Sequence, residues 1–232
     1  MPFSPEGHYQ RSEKQEYIHS LIGEFRDQLA KDGYAIPKET DGVVALSAPP
    51  EKLEDGFLEK TDENVARIDF AIQAITEVTA ERTGKLLEDV TAEDIITNGP
   101  PLVLNGETEQ LPMMREVALS LDFPQEKIEE LDCGKRGVGN TKTQFTALDT
   151  DPRFAENKHW TFVSTGYHVP RVARTAMSNI DEHREFDVIG VPLEQHSYDV
   201  YRKVRGEVKR ILLYAKKGDI AHHAPSRDHE HH

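Results

Sequence analysis

The chain has 232 residues, of which 30% are charged and 37% hydrophobic, and its formal net charge is −14. This charge excludes generalised nucleic-acid binding, which needs a basic surface, but it allows a local basic site. No apolar run approaches the ~20 residues that a membrane-spanning helix needs, and the N-terminus lacks the hydrophobic core of a signal peptide. With a single cysteine, Cys133, and no disulfide to form within the chain, we expect a soluble, cytoplasmic protein.

The first third of the chain shows helix, strand and helix patterns in turn. A capping-box signature over residues 12–15 precedes apolar residues at helical spacing, and this helix is predicted to end near Gly33. Gly42 to Ser47 is a short apolar run, which is typical of a buried strand. A second helix is predicted to begin at Thr61 or the next residue and to end before Gly84.

The middle of the chain predicts further strands and helices. Residues 85–101 combine one helix-start signal with several helix breakers, which favours an irregular connection. Short strands are predicted at 102–104 and 128–131, with a helix over 111–121 between them. A second capping-box pattern, over residues 141–144, predicts that another helix begins there.

Residues 159–180 form the clearest unit of the sequence, a strand, a polar loop and a helix. Trp160 to Thr165 is rich in aromatic and β-branched residues, Gly166 ends the strand, and apolar residues then recur along one helix face. The start of this helix favours an anion. Arg171 opposes the helix dipole there, which indicates that a negative ligand or a carboxylate lies between them. Arg174, opposite the apolar stripe, is expected to face solvent.

The order of these elements predicts the fold. Residues 186–191 predict a last strand and 201–215 a long closing helix, so strands and helices alternate along the chain. We therefore expect one α/β domain, a Rossmann-like three-layer sandwich with a mostly parallel sheet. Residues 1–40 are predicted to form a leader and a helix packing on the core, 41–218 the domain, and 219–232 a disordered His-rich tail with adventitious metal affinity.

In parallel sheets of this kind, ligands bind beyond the carboxyl ends of the strands. The residues predicted at this rim are Ser47, Asn105, Gly106, Glu109, Asn140, Thr141, Thr165, His168 and Arg171. We expect Arg171 to hold an anion while polar neighbours supply hydrogen bonds. His168 is the first candidate for acid–base chemistry and Glu109 the second. Structural roles as helix caps, dipole partners or backbone hydrogen-bonding groups remain alternatives for these polar residues, and no cluster predicts a metal site.

Several segments also resemble the motifs of one family. The most specific is STGYHVPRVARTA, at 164–176, which is similar to a Thr-Ser-x-x-His-Met-x-Arg-Ala loop and helix. Further matching segments are VVALS at 43–47, RIDFAIQAI at 67–75, PLVLNG at 101–106, LDFPQEKI at 121–128 and GNT at 139–141, with Glu109 near a helix-entry glutamate. Together they resemble the YdcF-like family, also called the ElyC/SanA/YdcF superfamily. The chain departs from the family at Asn105, which replaces part of a Gly-Gly turn, and at Lys142-Thr143-Gln144, which replaces x-Glu-Asn.

The resemblance implies a Rossmann-like domain. Some members are associated with envelope and peptidoglycan metabolism, and S-adenosylmethionine binding has been suggested for the family. Our leading hypothesis is a small nucleotide-like or phosphorylated ligand, S-adenosylmethionine or a nucleotide, at the carboxyl edge of the sheet. The alternatives are a hydrolase or transferase acting on a phosphate-containing substrate, and a non-catalytic sensor or partner-binding protein.

Overall fold

The structure, a computed structural model, describes residues 6–29, 34–48, 51–52, 58–59, 61–135, 140–192 and 198–223. The strands are β1 (Gly42–Leu46), β2 (Glu51–Lys52), β3 (Leu58–Glu59), β4 (Leu102–Gly106), β5 (Ile128–Asp132), β6 (His159–Thr165) and β7 (Glu185–Val191). The α-helices are α1 (Glu6–Leu29), α2 (Asp62–Thr83), α3 (Ala92–Asn98), α4 (Leu111–Ser120), α5 (Thr141–Thr150), α6 (Val169–Asn179) and α7 (Tyr198–Lys217). Among the residues described, no helix has both the length and the apolar character needed to cross a membrane.

Five strands form one parallel sheet in the order β5-β4-β1-β6-β7, and β2 and β3 form a separate antiparallel pair. The chain builds outward from β1 through β4 to β5, then crosses back to β6 and β7 on the other side. The strand order therefore reverses next to β1, and the crevice at this reversal is where such sheets bind ligands. The predicted Rossmann-like α/β fold is confirmed.

Helices cover both faces of the sheet. Along β1, Val43 and Ala45 pack in the cluster that contains residues of α2 and α4, whereas Val44 and Leu46 pack with residues of α5 and α6. All four side chains are at most 1% exposed. A strand buried on both faces needs a continuous apolar run rather than an alternating one, which is what the sequence has at β1.

A third apolar cluster joins the first and last helices. Leu21 and Phe25 of α1 pack with Ile211 and Ala215 of α7. The N-terminal helix therefore packs on the core, as predicted. It begins well before the predicted cap at residue 12, because α1 already runs from Glu6.

Two other local predictions differ from the structure. The segment predicted to be irregular contains the short helix α3, which a reciprocal capping box between Thr91 and Asp94 stabilises. The cap of α5 is Asn140, which exchanges hydrogen bonds with Thr143, so the cap lies one residue before the predicted cap and Thr141 is the first residue of the helix. Gln144 is consequently released from a capping role, and its side chain points back towards the sheet edge.

The face of α6 that was predicted to meet solvent is covered. Arg174 is 0% exposed, and it donates to Glu24 of α1 at 2.8 Å and to the carbonyl oxygens of Pro170 at 2.9 Å and His222 at 3.3 Å. The prediction that Arg174 faces solvent is therefore wrong, because α1 and the segment after α7 both pack there. Helical periodicity shows which face is apolar, but it does not show whether another element covers the polar face.

The disorder predicted from residue 219 does not hold for residues 219–223. Ile220 is 5% exposed, and the backbone N–H of Ala221 donates to the carbonyl oxygen of Arg174 at 3.2 Å. This segment closes the outer side of α6. The rest of the predicted tail, 224–232, lies outside the described residues and includes three of its five histidines.

Gly190 provides a test of the packing between β7 and the turn before α6. A Cβ at Gly190 would lie 2.8 Å from both Gly166 Cα and Val169 Cγ2. We predict that Gly190→Ala lowers the free energy of unfolding by about 1–3 kcal/mol, because backbone would have to move. Gly23 has no atom within 4 Å of its added Cβ, so Gly23→Ala in α1 should stabilise by about 0.5–1 kcal/mol. Urea denaturation measures both changes, and equal effects would contradict the close approach.

The burial of Arg174 leads to a second stability prediction. Arg174→Ala should lower the free energy of unfolding by about 3 kcal/mol, because it removes the buried guanidinium that donates to Glu24 and to two carbonyl oxygens. Arg26→Ala is the matched control, since the Arg26 side chain is 80% exposed. Urea denaturation of the two variants checks this. A loss in Arg174→Ala as small as in the control would mean that the covering segments detach easily.

Candidate functional site

A cavity of about 830 Å³ opens at the carboxyl edge of the sheet, at the reversal of strand order. It is lined by Ser47, Arg67, Glu107, Gln110, Cys133, Asn140, Thr141, Gln144, Tyr167, His168, Arg171, Arg202, Lys203, Gly206, Glu207, Arg210 and Tyr214. Five of these were predicted from the sequence: Ser47, Asn140, Thr141, His168 and Arg171. The volume is that of a site for a nucleotide-sized molecule.

Asn105 and Gly106 lie below the cavity rather than in its lining. The amide of Asn105 donates to the backbone oxygen of Gln144 at 2.9 Å, and the amide of Gln144 donates to the backbone oxygen of Asn105 at 3.0 Å and to Ser47 Oγ at 3.1 Å. An added Cβ at Gly106 would lie 3.1 Å from Ser47 Cβ, so this glycine allows the ends of β1 and β4 to approach. These residues hold α5 on the sheet edge.

Thr165 supports the cavity through Arg67 of α2. The Arg67 guanidinium is buried and donates to Thr165 Oγ1 at 2.6 Å and to the carbonyl oxygens of Leu46 and Ser47 at 2.9 and 2.8 Å. These three acceptors lie at the ends of β1 and β6. Arg67 therefore joins the two strands at the reversal point and places a positive charge beneath the cavity.

An ion triad around a buried carboxylate forms part of the cavity wall. Glu207 of α7 is 1% exposed, and its two carboxylate oxygens accept from Arg171 Nε and from Arg210 Nη1, each at 2.5 Å. Arg171 Nη1 also donates to Thr141 Oγ1 at 2.8 Å. The negative group beside Arg171 is thus a carboxylate of the protein, which is one of the two alternatives that the sequence left open.

His168 is held in one tautomer by its neighbours. Its Nε2 is in contact with Arg171 Nη2, and its Nδ1 lies 3.0 Å from Ser164 Oγ. Because a guanidinium only donates, Nε2 must accept, and Nδ1 then carries the proton and donates to Ser164. Burial, followed by the charges of Arg171, Arg67 and Arg210, holds the pKa of His168 well below its usual 6.5. His168 is therefore neutral, and its basic nitrogen is already engaged.

A second group of charges surrounds Glu63 of α2. Its carboxylate accepts from Tyr167 Oη at 2.9 and 3.0 Å and from Lys203 Nζ, and Arg67 Nη2 lies 3.7 Å away. Burial raises the pKa of Glu63, but hydrogen bonds from Lys203 and Tyr167 and the charge of Arg67 outweigh it and hold that pKa below the usual value. Glu63 stays ionised, and Lys203 also lies 4.9 Å above the Tyr167 ring.

The lining of the cavity is rich in positive charge. It contains five cationic side chains, Arg67, Arg171, Arg202, Lys203 and Arg210, but only the two carboxylates Glu107 and Glu207. Glu207 is shared by two guanidiniums, and Glu63, just outside the lining, is shared by Arg67 and Lys203. In each group two cations face one anion. The cavity therefore carries excess positive charge in a chain whose net charge is −14.

The other candidates for chemistry are placed unfavourably. Glu109, the second acid–base candidate, is exposed and does not line the cavity; Glu107 and Gln110 of the same segment do. Burial, together with Glu107 and Asp132, raises the pKa of the Cys133 thiol to about 11, so it is protonated and weakly nucleophilic at neutral pH. Among the described residues, no group of three or more His, Cys, Asp or Glu side chains is arranged to hold a metal ion.

Sequence reasoning missed the contribution of α7. A signal for Glu207 exists, because Val200, Glu207, Ile211 and Ala215 follow one another at spacings that keep them on the same helix face. A carboxylate within that apolar stripe must be buried against a cation. No comparable signal marks Arg202 and Lys203, which resemble ordinary solvent-facing charges of a helix.

The pKa shifts of two histidines predict opposite pH dependences of stability. His168 has a lowered pKa, so below about pH 6.5 the unfolded chain binds the proton first and stability falls as pH falls. His159 has a raised pKa, mainly because it bonds to Asp187, so its contribution is complete below about pH 6.5 and is lost as pH rises through its folded pKa. NMR titration of the ring protons checks this: His168 should titrate below 6.5 and His159 above it. An ordinary titration of His168 would contradict its burial among the arginines.

Comparisons of the chain with protein-family models, with curated proteins and with solved structures found no match. The function that the site supports therefore has to be inferred from the cavity itself.

Proposed function

We propose that this protein binds a small phosphate-bearing, nucleotide-like ligand in the cavity at the carboxyl edge of the sheet. The observation that carries the proposal is the charge balance at the cavity, where four cations of the lining are grouped around two carboxylates, Glu207 in the lining and Glu63 just outside it. Each group, Arg171–Glu207–Arg210 and Arg67–Glu63–Lys203, has one positive charge in excess. Two such groups on one cavity suit a ligand with about two negative charges, which is the charge of a phosphate monoester at neutral pH.

The placement of the cations supports recognition at short range. The chain as a whole is acidic, so its long-range field repels anions, and only donors within the cavity attract them. Arg171 is 12% exposed and Arg67 2% exposed, and charge-assisted hydrogen bonds from partly buried guanidiniums are stronger than those at the surface. Hydrogen bonds to the protein also fix both side chains before a ligand arrives, which lowers the entropy cost of binding.

The same charge balance disfavours S-adenosylmethionine. That molecule carries a sulfonium cation as well as an ammonium and a carboxylate, so its net charge is positive. The cavity offers it five cations and two carboxylates, and Glu207 is already paired twice. A positive ligand would be repelled where a phosphate would be attracted. We therefore favour a nucleotide over S-adenosylmethionine, although S-adenosylmethionine is the ligand suggested for the YdcF-like family.

Binding without turnover agrees better with the groups that line the cavity than hydrolysis or transfer does. The basic nitrogen of His168 accepts from Arg171, and the thiol of Cys133 is protonated. Ser47 Oγ accepts from Gln144, and no described base approaches it to remove its proton. A sensor or carrier of a phosphate-bearing ligand is the role we favour. Membership of the YdcF-like family remains part of the proposal, supported by the fact that its most specific segment, 164–176, supplies His168 and Arg171.

Calorimetry with AMP, inorganic phosphate and S-adenosylmethionine tests the proposal. AMP should bind, more weakly as salt is added, and S-adenosylmethionine should bind at least about tenfold more weakly. Arg210→Ala should weaken AMP about tenfold, because it removes a cavity guanidinium while Arg171 keeps Glu207 paired. Arg205→Ala is the matched control, since it removes the same charge from an exposed position of α7 outside the cavity lining.

Two outcomes would contradict the proposed function. If neither AMP nor inorganic phosphate binds, the cavity is not a phosphate site. If Arg210→Ala and Arg205→Ala weaken AMP equally, the attraction comes from the overall charge of α7 and not from the cavity.

A further inference from the structure

A second, smaller cavity adjoins the first. It has a volume of about 300 Å³ and lies between α5, α6, α7 and the segment that follows α7. Five residues line both cavities: Asn140, Thr141, Arg171, Arg210 and Tyr214. These five side chains therefore form a divide with space on either side, and the two cavities make one site with two compartments.

The divide is the most cationic part of this two-compartment site. Arg171 and Arg210 face both compartments, whereas Glu207, the carboxylate between them, lines only the larger one. Of the guanidinium nitrogens of Arg210, Nη1 alone has an acceptor among the described residues, and the side chain is 54% exposed. Because both guanidiniums line both compartments, their positive charges act at the boundary between the compartments. The centre of the ligand should therefore be its negatively charged part.

The smaller compartment is lined by polar and charged side chains that do not line the larger one. Lys142 Nζ and Asp219 Oδ1 form an ion pair at 3.0 Å, with side chains 50% and 38% exposed, and Thr175 and Ile220 complete the wall. An ammonium beside a carboxylate offers donors and acceptors together, which is the combination that hydroxyl groups need. The volume of this compartment is at the lower limit for ligand sites, so it suits a group of sugar size rather than a nucleoside.

We infer that the ligand is a nucleoside diphosphate joined to a hydroxylated group such as a sugar. The nucleoside occupies the larger compartment, the diphosphate lies at the divide between Arg171 and Arg210, and the hydroxylated group meets Lys142 and Asp219 in the smaller compartment. A diphosphate diester has one negative charge on each phosphoryl group, which matches the two positive charges that the Arg171–Glu207–Arg210 and Arg67–Glu63–Lys203 groups together have in excess. This inference rests on the proposed function. It narrows the ligand to a two-armed class, in which a diphosphate carries a nucleoside on one side and a hydroxylated group on the other.

Calorimetry with ADP-ribose and AMP tests this inference, because the two probes share the adenosine and differ in the second arm. ADP-ribose should bind the wild-type protein at least about tenfold more tightly than AMP. Lys142→Ala and Asp219→Ala should each weaken ADP-ribose about fivefold and leave AMP within about twofold. The two residues line only the smaller compartment, and their exposed ion pair contributes little to folding.

Asp219→Ala separates hydroxyl recognition from simple charge. Removing a carboxylate would tighten the binding of every anion if only electrostatic attraction mattered, whereas losing a hydroxyl acceptor weakens ADP-ribose alone. Lys209→Ala, an exposed charge loss on α7 outside both linings, is the control for Lys142→Ala and should change neither affinity. Thermal unfolding of each variant checks that its fold is intact.

Each result of this experiment has a defined meaning. Equal affinities of ADP-ribose and AMP, or equal losses for both probes in Lys142→Ala and Asp219→Ala, overturn the two-armed ligand while the phosphate site stands. Tighter binding of ADP-ribose by Asp219→Ala overturns it as well. Failure of both probes and of inorganic phosphate to bind overturns the proposed function and this inference together.

Discussion

The buried carboxylate of Glu207 is the constraint on which the rest of the site depends. A carboxylate that is 1% exposed is tolerated only where cations pair with it, and Arg171 and Arg210 do so. This requirement fixes α7 against the first turn of α6. With α7 in that position, Arg202 and Lys203 also reach the cavity, and the segment after the helix closes over α6. The ion triad of Arg171, Glu207 and Arg210 therefore positions the helix that supplies one wall of the cavity and much of its positive charge.

Below this triad, hydrogen bonds join the ends of the strands to the helices that surround the cavity. Gln144 joins α5 to the ends of β1 and β4 through Ser47 and Asn105, and Arg67 joins α2 to the ends of β1 and β6. Because the strand order reverses next to β1, the connections that follow β1 and β6 run to opposite faces of the sheet, through α2 and α6, and a crevice opens between them. The polar side chains that span the crevice are buried, mutually paired and held by packed elements, so the site is organised before a ligand arrives.

The net negative charge of the chain repels anions at long range, whereas the cations in the cavity lining attract them at short range. The net charge of −14 repels polyanions, and under the proposed function the cations grouped around Glu63 and Glu207 attract only a ligand that enters the cavity. His168 is neutral because burial and the surrounding guanidiniums make an imidazolium unfavourable there and lower its pKa. His168 thereby orients Arg171 without adding charge.

The sequence alone determined the parallel α/β fold and one edge of the site. Apolar runs define β1 and β4, and the carboxyl ends of parallel strands share one edge, so Ser47, Thr141, His168 and Arg171 could be placed together before any contact was known. Only the tertiary structure decided that Arg171 pairs with Glu207, that Arg174 is buried against Glu24, and that Glu109 lies outside the cavity. These outcomes depend on which element covers the polar face of a helix. Local periodicity reports a preference for burial within one element, whereas pairing between distant charges is settled by how whole elements pack.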